Sequence, residues 1–564
     1  MRHEDTVPRG GRPAAPGEEP HGPGEEPQAP GGRPDGRPGP SGPSGPSLPS
    51  RRLSGSVLST FVVMGSTFLS RLLGFVRIAV IGAVFGASGQ ADVLNVVFNI
   101  PNNLRKLMAE GALSSAFIPA LSTSLVRDPS QGEARRIFGG IMGFQLVVLV
   151  PLLALSVAFS LPIVNTILDF PEVERQVLSA GLFRSLIHYV LLISISALLM
   201  GTIHAHNRFL VPALTPILFS VAVIPSILLL HERMGVYSMA VGVLVGGVIQ
   251  ILVQLPLMRR LGYSLVPHFR FRDPLVRRVL RQWLPVVATA SIFTVNQQVA
   301  LFFASGLEDG SSSALTNALT FFQLPFGIFA ASVTTVLFPR MSRQSAEGDL
   351  PGLKETVSFG LRYLVVLLIP SGVLLGLIGT ETISVALQRG AFETRHTILA
   401  GRVLAGYCIG LFSVGAFNFL QRFFYSRDNY RVPLIAAGLT VALDIGLSLW
   451  LKETALRVVG LSVANSISFT IGLLFLLVAA YRNVDGLAVR GILVSLGKTL
   501  VAMVPAALFI LWFRSATGEW WATGSSWRNL GRLSLVGLGS LALTGGMLML
   551  LRVDELRRVI RRKL

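Results

Sequence analysis

Six ionisable residues crowd the first apolar part of the chain: Arg71, Arg77, Asp92, Arg105, Lys106 and Glu110. Arg71 falls near the middle of an apolar stretch at 55–86, and Arg77 lies about 9 Å farther along the axis at the helical rise. Arg105 and Lys106 fall near the middle of the next stretch, 90–124, with Asp92 close to its start and Glu110 past its centre. A charge deep in a bilayer costs at least about 2.5 to 3.5 kcal/mol on insertion scales, so it faces a cavity or a partner. Two readings fit. In the first, Lys106 and Glu110 pair at i,i+4 and Asp92 answers Arg77, making an internal ion-pair set. In the second, four bases against two acids leave positive charge for an anion, and guanidinium forks match phosphate or pyrophosphate oxygens.

Other chemistry is sparse. Asp444 is the one deep acid of the second half, with Ser448 a turn later; it fits either a weak cation or proton site or a carboxylate hydrogen-bonded to its neighbours. His204 and His206 sit at a helix end, which fits an interfacial role better than metal binding. The one cysteine, Cys408, lies in an apolar run and reads as a small core residue, with no disulfide or cysteine cluster to form. Gly491 to Thr499 approaches a phosphate loop, but five residues rather than four separate its glycines and no strand precedes it. The sequence thus reads as a transporter rather than an enzyme. It has no cofactor and no ATP-binding motif, and its energy comes from the membrane potential or an ion gradient.

The elements that hold these charges must be membrane helices. Of 564 residues 51% are hydrophobic and only 14% charged, too few polar groups to cover a soluble globule of this size. Apolar stretches of bilayer length recur from Leu53, about fourteen in all, the last at 529–551. The fold class is therefore an all-α polytopic membrane protein. Basic residues gather after every even-numbered stretch, for example Arg135 and Arg136, Arg270 to Arg281, and Arg557 to Lys563, while the alternate loops are poor in them. This alternation places both termini in the cytoplasm. The net charge of +19 therefore records topology and not a nucleic-acid surface.

Residues 1–52 form a Pro/Gly-rich tail, with 13 of the 32 prolines in the first fifty positions, and read as disordered. Beyond it the chain divides into 53–275 (helices 1–6), 276–481 (helices 7–12) and 482–564 (helices 13–14 with a basic end). Two six-helix lobes around a central cavity are a common transporter plan.

Ser70 to Pro119 resembles the signature of the MurJ/MviN lipid II flippases, within the multidrug/oligosaccharidyl-lipid/polysaccharide exporter superfamily. Asn207-Arg208-Phe209, Thr335 to Met341, Arg389-Gly390-Ala391-Phe392 and Phe424 to Arg427 match as well, so the likeness runs from about Leu53 to the end. It implies a flippase of the bacterial inner membrane that moves the undecaprenyl-pyrophosphate-linked peptidoglycan precursor outward by alternating access. Arg71, Arg77 and Arg105, with Asp92 and Glu110, are the substrate-binding positions it implies; membrane lipids and cell-wall synthesis proteins are the implied partners. The sequence departs from the family pattern at Thr320, where a base is usual in helix 8, at Ile78, and at Ala300-Leu301, where some members carry a sodium-site acid. The competing readings are an exporter of another polyprenyl-linked glycan or a drug, and a non-transporting scaffold for cell-wall enzymes.

Overall fold

The computed structural model describes residues 52–87, 89–105, 113–484, 486–553 and 555; the side chains of 52–64, 67–68, 105, 113–115 and 284–293 are outside the description. The N-terminal tail, Lys106 and Glu110 therefore lie outside the described residues. Everything regular among the described residues is helical, as a chain without water to satisfy its backbone requires. In order these are α1 (Arg52–Phe85), α2 (Gln90–Arg105), α3 (Leu113–Arg127), α4 (Gly132–Ala158), α5 (Ser160–Ile167), α6 (Val173–Leu186), α7 (His188–Ala205), α8 (Leu210–Met234), α9 (Tyr237–Arg260) and α10 (Pro274–Ser305). There follow α11 (Ser311–Pro325), a π-helical turn (Phe326–Ala330), α12 (Ala331–Ala346), α13 (Leu350–Leu377), α14 (Gly379–Leu387), α15 (Thr394–Ile409), α16 (Leu411–Tyr425), α17 (Arg431–Leu451), α18 (Val458–Asn483), α19 (Val489–Thr517) and α20 (Trp527–Leu550).

Among the described residues ten helical segments are long and apolar enough to cross a membrane, or eleven if α15 and α16, bent by 46°, make one span. These fall on eleven of the expected stretches. The other three coincide with α1, with α2 and α3 together, and with α10, each of which contains residues outside the description.

Local sequence sets the helix ends. Asp273 accepts a hydrogen bond from the Leu275 N–H ahead of Pro274, Asp349 from the Gly352 N–H, and Ser526 from the Asn529 N–H, each satisfying an orphan amide of the first turn. Three buried clusters organise the interior. One joins α1, α2, α4 to α9 and Leu301; a second joins α3, α4, α7, α9 and the start of α10; the largest runs from Phe303 to Leu487 and takes in Ala79 of α1 and Ala87 just beyond it. Large apolar side chains such as Leu229, Trp450, Trp512 and Leu550 remain exposed, as lipid-facing positions do.

The α19–α20 pair is pinned to the rest by charge. Arg514 donates to Glu381 Oε1 at 2.6 and 3.0 Å and to the Leu377 carbonyl at 2.7 Å, and the Glu381 side chain is only 5% exposed. At the opposite end Tyr363 donates to the Glu555 carbonyl, and Arg362 pairs with the Glu555 carboxylate at 3.3 Å. Removing one partner of a buried pair leaves the other uncompensated. Glu381→Ala is expected to cost about 2 kcal/mol, at the low end for such pairs because Arg514 is 42% exposed. A lowered melting temperature of the detergent-solubilised protein checks it.

Candidate functional site

Arg71 and Arg77 line one cavity of about 390 Å³ bounded by α1, α2, α7, α8 and α9. Its wall is polar for a membrane interior: Ser70, Asn102, Ser196, Thr215, Ser220 and Gln250 all reach it. Gln250 Nε2 donates to the Thr215 carbonyl at 3.0 Å, while its Oε1 is buried without a hydrogen-bond partner among the described residues. An unpaired buried acceptor costs roughly 1 to 3 kcal/mol, so Gln250 is a destabilised group beside this cavity.

Aromatic rings position Arg77. Its guanidinium carbon stands 5.1 Å from the Phe219 ring centroid and 5.9 Å from that of Phe98, and Phe219 in turn lies 5.3 Å from Tyr189. Cation–π contacts of this kind contribute about 0.5 to 2 kcal/mol and fix the plane of the guanidinium. Gly246 lets α9 close on this shelf, since a Cβ there would meet Phe219 Cδ2 at 3.0 Å. Arg71 instead approaches the second half of the chain: a Cβ on Gly327, in the π turn, would lie 3.7 Å from Arg71 Nη1. Departures to π geometry occur mostly as single turns at functional sites. Sequence patterning did not reveal this turn; Pro325, immediately before it, was its one visible sign.

Arg105 ends α2, with its side chain outside the description. Asp92 is elsewhere than in the cavity wall. It is buried, and its Oδ1 accepts the Ser313 N–H at 2.6 Å in the first turn of α11, where the helix dipole favours an anion. The same face carries further contacts between the two halves of the chain. Asn95 Nδ2 donates to Ser313 Oγ at 2.9 Å, the Gly89 N–H to Asp309 Oδ1 at 2.7 Å, and the Asp169 N–H to Ser305 Oγ at 2.7 Å. Arg175 bridges Glu172 and Asp309. The Arg389 to Phe392 motif belongs here too: the Ala391 N–H donates to the Ala83 carbonyl at 2.9 Å, and Phe392 packs on Gly82. Gly390 sits at φ 57° with Ala83 O against the place of a Cβ, so only glycine fits. One end of the molecule is thus closed by a belt of contacts, and the arginine cavity lies away from it along α1.

Asp444 is buried, with Asn465 Nδ2 3.4 Å from its Oδ2, Asn296 of α10 as a second amide facing it, and Oδ1 without a hydrogen bond among the described residues. The α10 residue opposite it is therefore Asn296, one turn before the Ala300-Leu301 pair singled out from the sequence. No group of three or more His, Cys, Asp or Glu suited to a metal occurs among the described residues. His206 meets the Tyr263 hydroxyl at 3.1 Å and His204 packs on Phe209, which gives both histidines interfacial partners. Thr320 returns its hydroxyl to the Thr316 carbonyl at 3.1 Å within α11.

The sequence profile of the family described as "Lipid II flippase MurJ" matches residues 81–531. The probable lipid II flippase MurJ of Borreliella burgdorferi is 32% identical over 508 residues, spanning 90% of this chain and 99% of that protein. The lipid II flippase MurJ of Burkholderia cenocepacia is 29% identical over 393 residues, 68% of this chain and 76% of that one. Two solved structures share the fold. A lipid II flippase MurJ in an inward closed conformation aligns with a TM-score of 0.71 at 24% identity, covering 87% of this chain and 99% of its own. An inward-facing multidrug resistance MATE transporter of the MOP superfamily aligns with a TM-score of 0.62 at 14% identity, covering 75% and 98%.

The belt generates a direct check. In a variant carrying Asn95→Cys and Ser313→Cys, the two thiols should form a disulfide under mild oxidation; the one native thiol, Cys408, is buried and does not compete. Adding Asp92→Ala removes the carboxylate that holds the start of α11 and should slow cross-linking several-fold. An unchanged cross-linking rate would show that Asp92 does not hold the belt together.

Proposed function

The chain belongs to the lipid II flippase MurJ family and is a lipid II flippase of peptidoglycan synthesis, and from that premise we propose that Arg71, Arg77 and Arg105 bind the pyrophosphate of its substrate. The observation that carries this reading is the cavity itself, where two guanidinium groups share a polar wall inside a multi-pass membrane protein. Holding permanent positive charge at that depth of a membrane is costly unless water or an anion answers it. Pyrophosphate offers planar sets of oxygens that a fork can grip in pairs, and Arg77 is already held by two rings. Hydroxyl and amide groups on α7, α8 and α9 then face the sugar end of the substrate.

Alternating access follows from the same geometry. The lobes 53–275 and 276–481 meet through the belt around Asp92, and that end of the cavity is closed. Arg71 lies beside the π turn, so a pyrophosphate that draws Arg71 toward itself changes what stands between the lobes at that level. Asp92 serves closure rather than direct binding. The distribution of basic loops supports a cytoplasmic position for both termini in a bacterial inner membrane, and on that orientation the closed end faces outward. The driving energy is the membrane potential or an ion gradient rather than bound ATP.

In a strain depleted of its native flippase, Arg71→Ala, Arg77→Ala and Arg105→Ala should each fail to restore growth while reaching wild-type levels in the membrane. Normal growth with Arg71→Ala would remove the anion site from the mechanism. For coupling, flipping in reconstituted vesicles should fall several-fold when the membrane potential is collapsed and stay unchanged when sodium is replaced. Loss only on sodium removal would assign the coupling to a cation site.

A further inference from the structure

A second cavity lies in the other half of the chain and plays no part in the reading above. It occupies about 800 Å³ between α13, α15, the start of α18 and α19, within the roughly 300 to 1,000 Å³ range of sites that hold small organic ligands. Its floor is apolar and buried, with Leu368, Gly406, Cys408 and Val458 among its residues. Gly376 helps to hollow it, and a Cβ there would meet only Cys408 Cβ, at 3.5 Å.

The rim differs in kind. Arg402 and Arg457 line it and both are exposed, and neither makes an ion pair among the described residues. Arg457 is held at φ 47°, a left-handed conformation that non-glycine residues seldom adopt. Glu308 also reaches the rim, so the charge there is two bases against one acid. This rim lies on the face that carries the Asp92 belt, where connecting segments are poor in bases, so the positive-inside tendency does not account for the pair.

Ile409, Leu456 and Leu500 line the recess and are exposed, so in a bilayer lipid reaches it and filling it restores the dispersion contacts that an empty space would forfeit. In a membrane the available filler is an acyl chain, and the rim selects the head group that comes with it. We propose that this recess is a binding site for an anionic phospholipid of the leaflet on the belt side, with its phosphate between Arg402 and Arg457 and an acyl chain running over Gly376 toward Cys408. The inference needs only that the chain spans a membrane; it stands whether or not the arginine cavity binds pyrophosphate.

Native mass spectrometry of the full chain released from phosphatidylethanolamine nanodiscs containing phosphatidylglycerol tests it. The wild type should retain phosphatidylglycerol in preference to phosphatidylcholine supplied equally. Arg402→Gln with Arg457→Gln should lower the retained fraction about tenfold or more, the size expected when charge-assisted hydrogen bonds are lost. Glu308→Gln should raise it. Gly376→Leu should exclude lipid whatever its head group, and if that variant fails to fold, the arginine pair and Glu308 decide alone. Equal retention of the two phospholipids, or no loss with the double arginine variant, would reduce the recess to ordinary annular lipid and overturn the proposal. Displacement of phosphatidylglycerol by an equal concentration of undecaprenyl phosphate would overturn it in favour of a resting place for the substrate's tail.

Discussion

A guanidinium in the middle of a membrane helix has to be surrounded, and the first half of the fold follows from that requirement. Arg71 and Arg77 cannot face lipid at a cost of several kcal/mol each. Five helices line the cavity onto which they open, Arg71 exposed and Arg77 half-buried, and the wall they meet is made of hydroxyls, amides and aromatic faces rather than of leucine. Phe219, Phe98 and Tyr189 keep Arg77 in one orientation, and Gly246 allows the helix behind them to come close. The cavity is the space left over when two permanent charges are kept from lipid behind a polar and aromatic wall.

The second constraint acts between the halves. Alternating access needs lobes that meet through contacts weak enough to break, and the belt around Asp92 is of that kind. Its polar part is made of single hydrogen bonds to helix ends and loop amides with one ion-pair bridge, set beside apolar contacts such as those of Ala79 and Ala87 with the core of the second half. A buried carboxylate at the start of α11 is stable while the Ser313 N–H faces it and costly once that helix moves away. The Arg71 guanidinium beside the π turn is the natural link between cavity and belt, since α1 carries the arginines at one level and meets the Arg389–Phe392 loop at another.

The sequence made the helices legible because each needs a bilayer's length of apolar residues, and that signal survives errors of several residues at the ends. Arg71 and Arg77 were legible for a related reason: in an apolar run a charge is conspicuous, whatever surrounds it. Asp92 was visible as a charge but not as a cap on a helix more than two hundred positions away, because a sequence does not show which distant amide a carboxylate will meet. The aromatic shelf under Arg77 and the polar wall of α7 to α9 were hidden among ordinary membrane residues, where Phe, Ser and Gln are read as filling. Asn296 was passed over for Ala300-Leu301 because a one-turn difference in register along α10 is decided by packing. The π turn after Pro325 carries no periodic signature at all.

The central claim is that the arginine cavity holds the substrate's pyrophosphate. The most direct measurement is a structure of the full chain with lipid II bound. The account predicts pyrophosphate density within hydrogen-bond distance of Arg71 and Arg77, with Phe98 and Phe219 still flanking the latter. Density for the pyrophosphate elsewhere, with both guanidinium groups unengaged, would contradict it.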